Sequence, residues 1–372
     1  EEEPGAGVWG LVGEGGRFAG WSAGGAWARL LSLARIVRRT PPPPLPLPER
    51  ALPDLRELLL GAPRASRVVE DPVLFHLRLV PLAEVLQSAV GWSAPGTLIV
   101  FGQGRFGWVD VAHGRIRGVG ELGHRAEPAP GPEEEVYPVL KRMAAWEDAS
   151  VAFVPAERPV EGPARLEGVP IGHALFAVAK AADEVGPGDG GDGADTGLRA
   201  YQVAEALLEW GLPSLAGAFL ERAERASTWG AEEDLLLGHL SAERNPQGAA
   251  ARLRHGALRA VSAGAQDPAR LGVYVSATLG ALILEVRAGY TVPSAALAVI
   301  RGWLDDAGTG WVADARHAAI WFEIALRAGA AESAMAAQRT LEELAGVERS
   351  RWAPLLEISL SGDGGVIGGE PE

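Results

Sequence analysis

Apolar positions recur at helical spacing between residues 81 and 91, in "PLAEVLQSAVG". Five of them follow the i, i+3, i+4, i+7, i+8 pattern of an amphipathic helix: Leu82, Val85, Leu86, Ala89 and Val90. Pro81 stands near the start of this pattern and Gly91 directly after its end, which are positions that proline and glycine favour. The pattern therefore predicts one helix with a single buried face.

Shorter apolar periods follow this helix. The run "TLIVF", residues 97–101, predicts a strand, and "GWVDVAHGRIRGV" predicts two short strands joined by a turn at His113-Gly114. "PEEEVYPVLKRMAAW" predicts a second helix with acidic residues in its first turn. Its buried face consists of Val136, Val139, Leu140 and Met143. "SVAFV", residues 150–154, adds a last strand, so this part of the chain predicts a small α+β domain.

Residues 198–360 have a helical period throughout. Four segments combine an apolar helix, a short turn and an alanine-rich helix: 205–223, 235–258, 282–304 and 320–344. Three of the turns carry a proline and the fourth an alanine, at Pro213, Pro246, Pro293 and Ala331. Because the strict tetratricopeptide signature is absent and the spacing is irregular, the pattern predicts a helical-repeat domain of α-solenoid type. The fold class expected is therefore α+β, with a small α+β domain followed by an all-α domain.

Solenoids bind partners on a concave face, so aromatic side chains near helix ends are candidate anchors. These candidate partner-binding residues are Trp229, Tyr290, Trp303 and Trp311. The alternative for each residue is packing in the core or over a helix end.

Composition divides the chain into five parts. Residues 1–50 are a Gly/Trp-rich segment and a proline-rich linker, 51–185 the α+β domain, 186–197 a Gly/Asp linker, 198–360 the helical domain, and 361–372 a flexible tail. Within the first part, "ARLLSLARIVRR" predicts an amphipathic helix that packs on the protein, with docking to a membrane surface or a partner as the alternative. In "GPGDGGDGADTG", "GGDGAD" matches the first six positions of a calcium-binding nonapeptide, but that site needs stacked copies and Gly197 stands at its apolar position. The aspartates also lack EF-hand spacing, so a flexible linker without a metal is expected there.

A glycine pattern at residues 102–107 suggests a nucleotide. Gly102, Gly104 and Gly107 have the G-x-G-x-x-G spacing, and Glu121 follows near the position of a ribose-binding acid. However, that fingerprint requires a helix at the third glycine, because the helix N-terminus holds the pyrophosphate. The residues after Gly107 are instead typical of a strand, so we expect a hairpin turn. A nucleotide-binding enzyme that uses this turn remains the alternative.

Composition narrows the function classes. The 372 residues contain 34 basic and 48 acidic side chains, a net charge of −14, which disfavours nucleic acid and anionic membranes as main partners. Cysteine is absent, which excludes disulfides, zinc–thiolate sites and thiol nucleophiles. The acidic start does not resemble a signal peptide, and Glu285 and Arg287 interrupt the most apolar run. We therefore expect a cytoplasmic protein without a membrane span.

Residues 72–185 resemble the PATAN domain. The resemblance rests on the helix motif at Leu82, Val85, Leu86 and Gln87, then Gly96-Thr97-Leu98, the turn at Gly114 with Ile116, and Trp146 with Val151 and Phe153. "HALFAVAKAADEV" is similar to the helix that often follows in this family. His113 departs from the usual aspartate, and the loop at 118–132 is long. The resemblance implies a protein-interaction module of bacterial signalling proteins, without catalysis.

The seven histidines form no metal-binding spacing, and neither a nucleophile elbow nor a P-loop is present in the sequence. We therefore expect no catalytic residue, cofactor or metal. The function expected is a non-enzymatic adaptor or scaffold that binds other proteins in a bacterial signalling or cell-polarity pathway. A DNA-associated regulator is a further alternative, with a basic cluster at Arg252, Arg254, Arg259 and Arg270.

Overall fold

The computed structural model describes residues 53–60, 68–69, 72–92, 94–123, 132–146, 148–156, 168–184, 198–225, 229–262, 267–290, 292, 294–306, 314–346 and 349–358. The chain forms two compact units. Residues 63–228 make up the sheet unit, and residues 1–62 together with 229–372 make up the helical unit. The mixed α+β class is confirmed, with an antiparallel sheet in the N-terminal part and a mostly helical C-terminal part.

In its described residues the sheet unit contains a six-stranded antiparallel sheet and five helices. The strands are β1 Leu74–His76, β2 Gly96–Gly102, β3 Arg105–Ala112, β4 Arg115–Glu121, β5 Ser150–Pro155 and β6 Val169–Pro170, in the order β1-β5-β2-β3-β4-β6. The first described helix of the chain, α1 Leu55–Leu60, belongs to the helical unit. The helices of the sheet unit are α2 Leu82–Ala89, α3 Pro132–Ala144, α4 Ile171–Glu184, α5 Ala200–Glu209 and α6 Pro213–Ala223.

Two tight turns join the three central strands. Gly104, between β2 and β3, has a φ of 72°, and the turn between β3 and β4 places His113 at 52° and Gly114 at 71°. These left-handed conformations reverse the chain and suit glycine. Both hairpin turns were predicted from the sequence and are confirmed. Strand β1 is an addition, because no pattern in the sequence predicted it.

Strand alternation gives the sheet two apolar faces. One face packs against α2, α3 and α4 and is buried at Leu98, Val100, Val109, Val111 and Val151. The other face presents Ile99, Phe101, Phe106 and Ala152, which are also buried. Ring contacts from Phe101 to Phe219 and from Trp108 to Trp210, with centroids 6.2 and 6.4 Å apart, show that α5 and α6 cover this second face.

The predicted domain boundary at 186–197 therefore differs from the observed division. We expected residues 198–223 to begin the helical domain, yet α5 and α6 belong to the sheet unit. The physical reason lies in β2, whose run of apolar residues is buried at nearly every position and so requires a cover on both faces of the sheet.

The helical unit is built around its longest helix. After α1 it contains α7 Ala231–Ser241, α8 Pro246–Ser262, α9 Pro268–Arg287, α10 Ser294–Asp306, α11 Ala315–Arg327, α12 Ala331–Leu344 and α13 Arg349–Leu356. Helix α9 packs against α7, α8 and α11, and most of its side chains are buried. The helices predicted in 235–258, 282–304 and 320–344 are confirmed, with Pro246 and Ala331 opening α8 and α12.

Helix α9 bears on the expectation that no segment is apolar enough to span a membrane. Among the described residues it is the one helix that is long and apolar enough to cross a bilayer, which the sequence reading did not expect of any segment. Glu285 and Arg287 do not interrupt it, because both lie in its last turn and form ion pairs with Arg254 and Glu323. Of its most apolar window, 72% is buried in the protein, as in a core helix.

Several predictions fall outside the described residues. These are the amphipathic helix and proline-rich linker within residues 1–50, the Gly/Asp linker at 186–197 and the tail at 361–372.

Candidate functional site

A groove opens on the second face of the sheet, between its β1 edge and helix α6. Its volume is about 700 Å³, and it is lined by Leu74, Phe101, Leu215, Ala218, Glu221, Arg222 and Arg225. Its floor is apolar, and charged side chains of α6 form its rim. Leu74 is 39% exposed although it is apolar, because no described residue covers it from the side of the groove. The groove can therefore accept apolar groups from outside.

Among the described strands, β1 is an edge of the sheet and pairs only with β5. Phe75 pairs with Val151, and the neighbouring bonds to β5 are Phe153 N–H to the Val73 carbonyl at 3.3 Å and Leu77 N–H to the Ala149 carbonyl at 2.9 Å. Because backbone groups alternate in direction along a strand, the N–H and C=O of Leu74 point away from β5. No described backbone group bonds to them. An extended chain from another molecule can therefore pair with β1 beside the groove.

The rim of the groove carries a local positive charge. Arg222 lies in the last turn of α6 and Arg225 two residues after its end. Both are exposed, and neither forms an ion pair with a described residue. Glu221 lies beside them and offsets part of their charge. A carboxylate arriving near Arg222 and Arg225 meets donors that are still available for charge-assisted hydrogen bonds.

Of the four predicted aromatic anchors, two lie in described positions with described side chains. The indole Nε1 of Trp229 donates to Asp234 Oδ1 at 2.9 Å, so this ring is held within the helical unit. Tyr290 lines a cleft in the same unit. Trp303 lies in α10, but its side chain is outside the described part of the structure, as is the whole of Trp311.

The four arginines of the predicted basic cluster each face a carboxylate. Arg252 and Arg259 approach the buried Asp234, both at 3.4 Å, and Arg254 pairs with Glu285. Arg270 approaches Asp267 at 3.5 Å. His255 Nδ1 is also 3.1 Å from Asp234. These pairs reduce the positive potential that a phosphate backbone would require, so the geometry does not favour the DNA-associated alternative.

The glycine pattern at 102–107 lies in a hairpin rather than at a helix. Gly107 is inside β3, and the residues after it continue that strand. Glu121 is the candidate ribose ligand. One of its carboxylate oxygens accepts hydrogen bonds from Nε and from a terminal nitrogen of Arg142, at 3.0 and 2.9 Å. Its carboxylate therefore ties β4 to α3. Neither feature favours the nucleotide-binding alternative.

Where α7, α9 and α11 meet, a buried histidine lies close to a half-buried hydrogen-bonded pair. Ser276 Oγ lies 2.9 Å from His317 Nε2, and His239 is buried close to them. Burial, followed by the positive charges of Arg316 and His317, lowers the pKa of His239 from 6.5 to about 3. This imidazole is therefore neutral at physiological pH. Among the described residues, no group of three or more His, Asp or Glu side chains is arranged to hold a metal ion.

The residues that line the groove were not singled out in the sequence. Leu74, Phe101 and Leu215 are far apart along the chain, and only pairing of β1 with the sheet and packing of α6 bring them together. The sequence contains one weak signal for β1. The apolar residues of "LFH" at 74–76 are compatible with a strand, but the run is too short to be assigned from its pattern alone.

Comparison with known proteins adds no assignment, because no protein family, curated protein or solved structure matches the chain.

Proposed function

We propose that this chain is a non-enzymatic protein-interaction adaptor, and that its sheet unit binds an extended segment of a partner protein along β1. The observation that carries this proposal is the outward-facing backbone of Leu74 next to an apolar groove. Strand addition supplies affinity through main-chain hydrogen bonds, and the groove supplies specificity through side chains.

The chemistry of the partner segment follows from the groove. In an added strand every second side chain faces the groove, so apolar residues at alternate positions would contact Leu74 and Phe101. Acidic residues near one end of the segment would meet Arg222 and Arg225. The partner is therefore an extended segment with alternating apolar residues and at least one flanking carboxylate.

The resemblance to the PATAN family supports the same proposal. The sheet unit has the expected order of helix, three strands, helix and strand, in α2, β2, β3, β4, α3 and β5. On that interpretation the helical unit is a repeat-type platform for a second partner, and the protein acts in the bacterial cytoplasm in signalling or cell polarity. Helical packing around α9 supports a platform of this kind.

A selection experiment with the full chain tests the proposal. A phage-displayed library of about ten-residue peptides is selected against the immobilised protein, and enriched peptides are measured by fluorescence polarisation. We expect enrichment of peptides with alternating apolar residues and a flanking Asp or Glu. Ala218→Glu places a carboxylate in the groove and should weaken binding by about tenfold or more, because it repels the acidic end and blocks the floor.

The matched control is Val299→Glu, which changes another exposed apolar residue, on α10 of the helical unit. It should leave peptide binding unchanged, and circular dichroism should show that both variants are folded. The proposal fails if no peptide is enriched, or if enriched peptides bind wild type and Ala218→Glu equally well.

A further inference from the structure

A second concave site lies in the helical unit, apart from the groove of the sheet unit. It is a cleft of about 230 Å³ between the start of α8 and the end of α9, lined by Pro246, Gln247, Ala250, Arg254, Leu284, Glu285, Ala288 and Tyr290. Four of these residues are apolar and small or medium in size. The others bring a guanidinium, a carboxylate, an amide and a phenol to the same space.

An incompletely satisfied ion pair lies in this cleft. Arg254 pairs with one oxygen of Glu285, while the other oxygen, Oε2, is buried without a hydrogen-bond donor among the described residues. Glu285 is only 8% exposed. An ionised oxygen that is removed from water and lacks a donor is unfavourable, so this position favours a hydrogen-bond donor that the described residues do not supply.

The guanidinium of Arg254 has N–H groups that can donate to a further acceptor. It carries five N–H groups, and its one ion pair with a described residue uses only part of them. Burial lowers the pKa of Arg254, an effect that the nearby Tyr290 phenol opposes, which indicates that the guanidinium is partly desolvated. An acceptor from outside would therefore gain strong hydrogen bonds there.

We propose that this cleft binds a compact zwitterion of amino-acid size, with its carboxylate on Arg254 and its ammonium group on Glu285. Both charges of such a ligand meet opposite charges that already lie side by side. A ligand with one charge would leave one member of the pair desolvated and unmatched, which costs binding energy. This selectivity distinguishes the cleft from a general anion site.

The size of the cleft agrees with this class of ligand. A cleft of about 230 Å³ has room for several water molecules and so for a ligand of amino-acid size. The wall formed by Pro246, Ala250 and Leu284 would contact a small aliphatic side chain, and Tyr290 would lie at one side.

Isothermal titration of the full chain tests the inference. The probes are glycine, alanine and valine, with ethylamine and propionate as ligands that carry only one of the two charges. We expect at least one amino acid to bind with a Kd below about 1 mM, and both single-charge ligands to bind about tenfold more weakly or worse. Arg254→Gln should weaken amino-acid binding by about tenfold or more, because the carboxylate loses its cation.

Arg270→Gln is the matched control, because Arg270 pairs with Asp267 and does not line the cleft. Its affinity should stay within about twofold of wild type. If Arg254→Gln does not fold, as judged by circular dichroism, the comparison of single-charge and zwitterionic probes on the wild-type protein decides alone. The inference is overturned if no amino acid binds below about 10 mM, if propionate or ethylamine binds equally well, or if a folded Arg254→Gln variant keeps wild-type affinity. Peptide selection at Ala218 is independent of all these outcomes.

Discussion

Two buried carboxylates inside the helical unit are each compensated by arginine side chains, and removal of an arginine would destabilise the protein. Glu323 is fully buried and accepts from Arg287 at 2.7 and 2.9 Å and from Arg327 at 2.9 Å. Asp234 has a similar place between Arg252 and Arg259. Removal of one partner would leave a buried charge without compensation, which costs more than the pair itself contributes. These contacts connect α9 with α11 and α7 with α8.

His239 is buried in a different way, because it is neutral and has Arg316 and His317 near it. Its folded-state pKa of about 3 lies below the ordinary 6.5, so between these values the unfolded chain binds a proton that the folded chain does not. Stability therefore falls as pH falls below about 6.5. From pH 7.5 to pH 5 the loss from this residue is about 2 kcal/mol.

We predict that His239→Leu flattens the pH dependence of stability over this range. The measurement is urea denaturation of wild type and variant at pH 7.5, 6 and 5. His173→Leu is the control, since the exposed imidazole of α4 meets solvent whether or not the chain is folded. A wild-type slope in the His239→Leu variant would contradict the prediction.

At the scale of elements, the close approach of β3, β4 and α3 depends on glycine. A Cβ at Gly107 would contact the Met143 side chain and lie 2.9 Å from the carbonyl oxygen of Gly120 on β4. The methionine can move, but the backbone oxygen is fixed by the sheet. This glycine therefore serves close packing, which explains one of the three glycines in the apparent nucleotide-binding pattern.

Two glycine-to-alanine substitutions should change the free energy of unfolding in opposite directions. Gly107→Ala should destabilise the protein by about 2 kcal/mol through overpacking. Gly217→Ala, inside α6, should stabilise it by about 0.5 kcal/mol or more, because a methyl group there meets no neighbour within 4 Å and alanine favours a helix. Urea denaturation of both variants measures the two changes. Equal stability of Gly107→Ala and wild type would show that the sheet tolerates the added group.

Local patterns predicted the elements well and their arrangement poorly. Leu82, Val85, Leu86 and Ala89 are buried as their spacing required, whereas Val90, predicted on the same stripe, is 51% exposed because α2 ends at Ala89. The placement of α5 and α6 on the sheet depends on contacts such as Phe101 with Phe219, which connect residues more than a hundred positions apart. Periodicity within a short window carries no information about such contacts.

The groove was missed for the same reason. Its residues come from β1, β2 and α6, and each segment has an ordinary interpretation by itself. Tyr290 was singled out as an aromatic near a helix end, and it does line a cleft. The ion pair between Arg254 and Glu285 beside it joins two helices, and no short-range pattern connects these two residues.

On the scale of the whole molecule, the helical unit is assembled from two separate parts of the chain. Leu58 and Leu59 of α1 are buried in its core, and α1 packs against α7 and α11. Arg287 of α9 also donates to the carbonyl oxygen of Pro53 at 3.0 Å. About 170 residues separate α1 from α7, and they include the entire sheet unit.

Truncation of Leu58 should therefore weaken the helical unit selectively. We expect Leu58→Ala to lower the free energy of unfolding of this unit by about 3 kcal/mol, because it leaves a cavity under α7 and α11. Hydrogen–deuterium exchange measured by mass spectrometry should show faster exchange in α9 and α11 than in wild type, with β2 and β5 unchanged. Val100→Ala, in the core of the sheet unit, should give the reverse pattern. Equal acceleration in both units would contradict the prediction.

Because the sheet unit interrupts the helical unit in the sequence, the two parts of the helical unit are synthesised at different times. The ribosome produces α1 first and the sheet unit next, so the sheet unit is complete while α1 still lacks every helix that buries it. At about 5–20 residues per second, Leu58 and Leu59 wait roughly 8–35 s for α7 to emerge, and longer for α9 and α11. During that interval Leu58 and Leu59 lack the described helices that bury them, which leaves an apolar segment that a chaperone can bind.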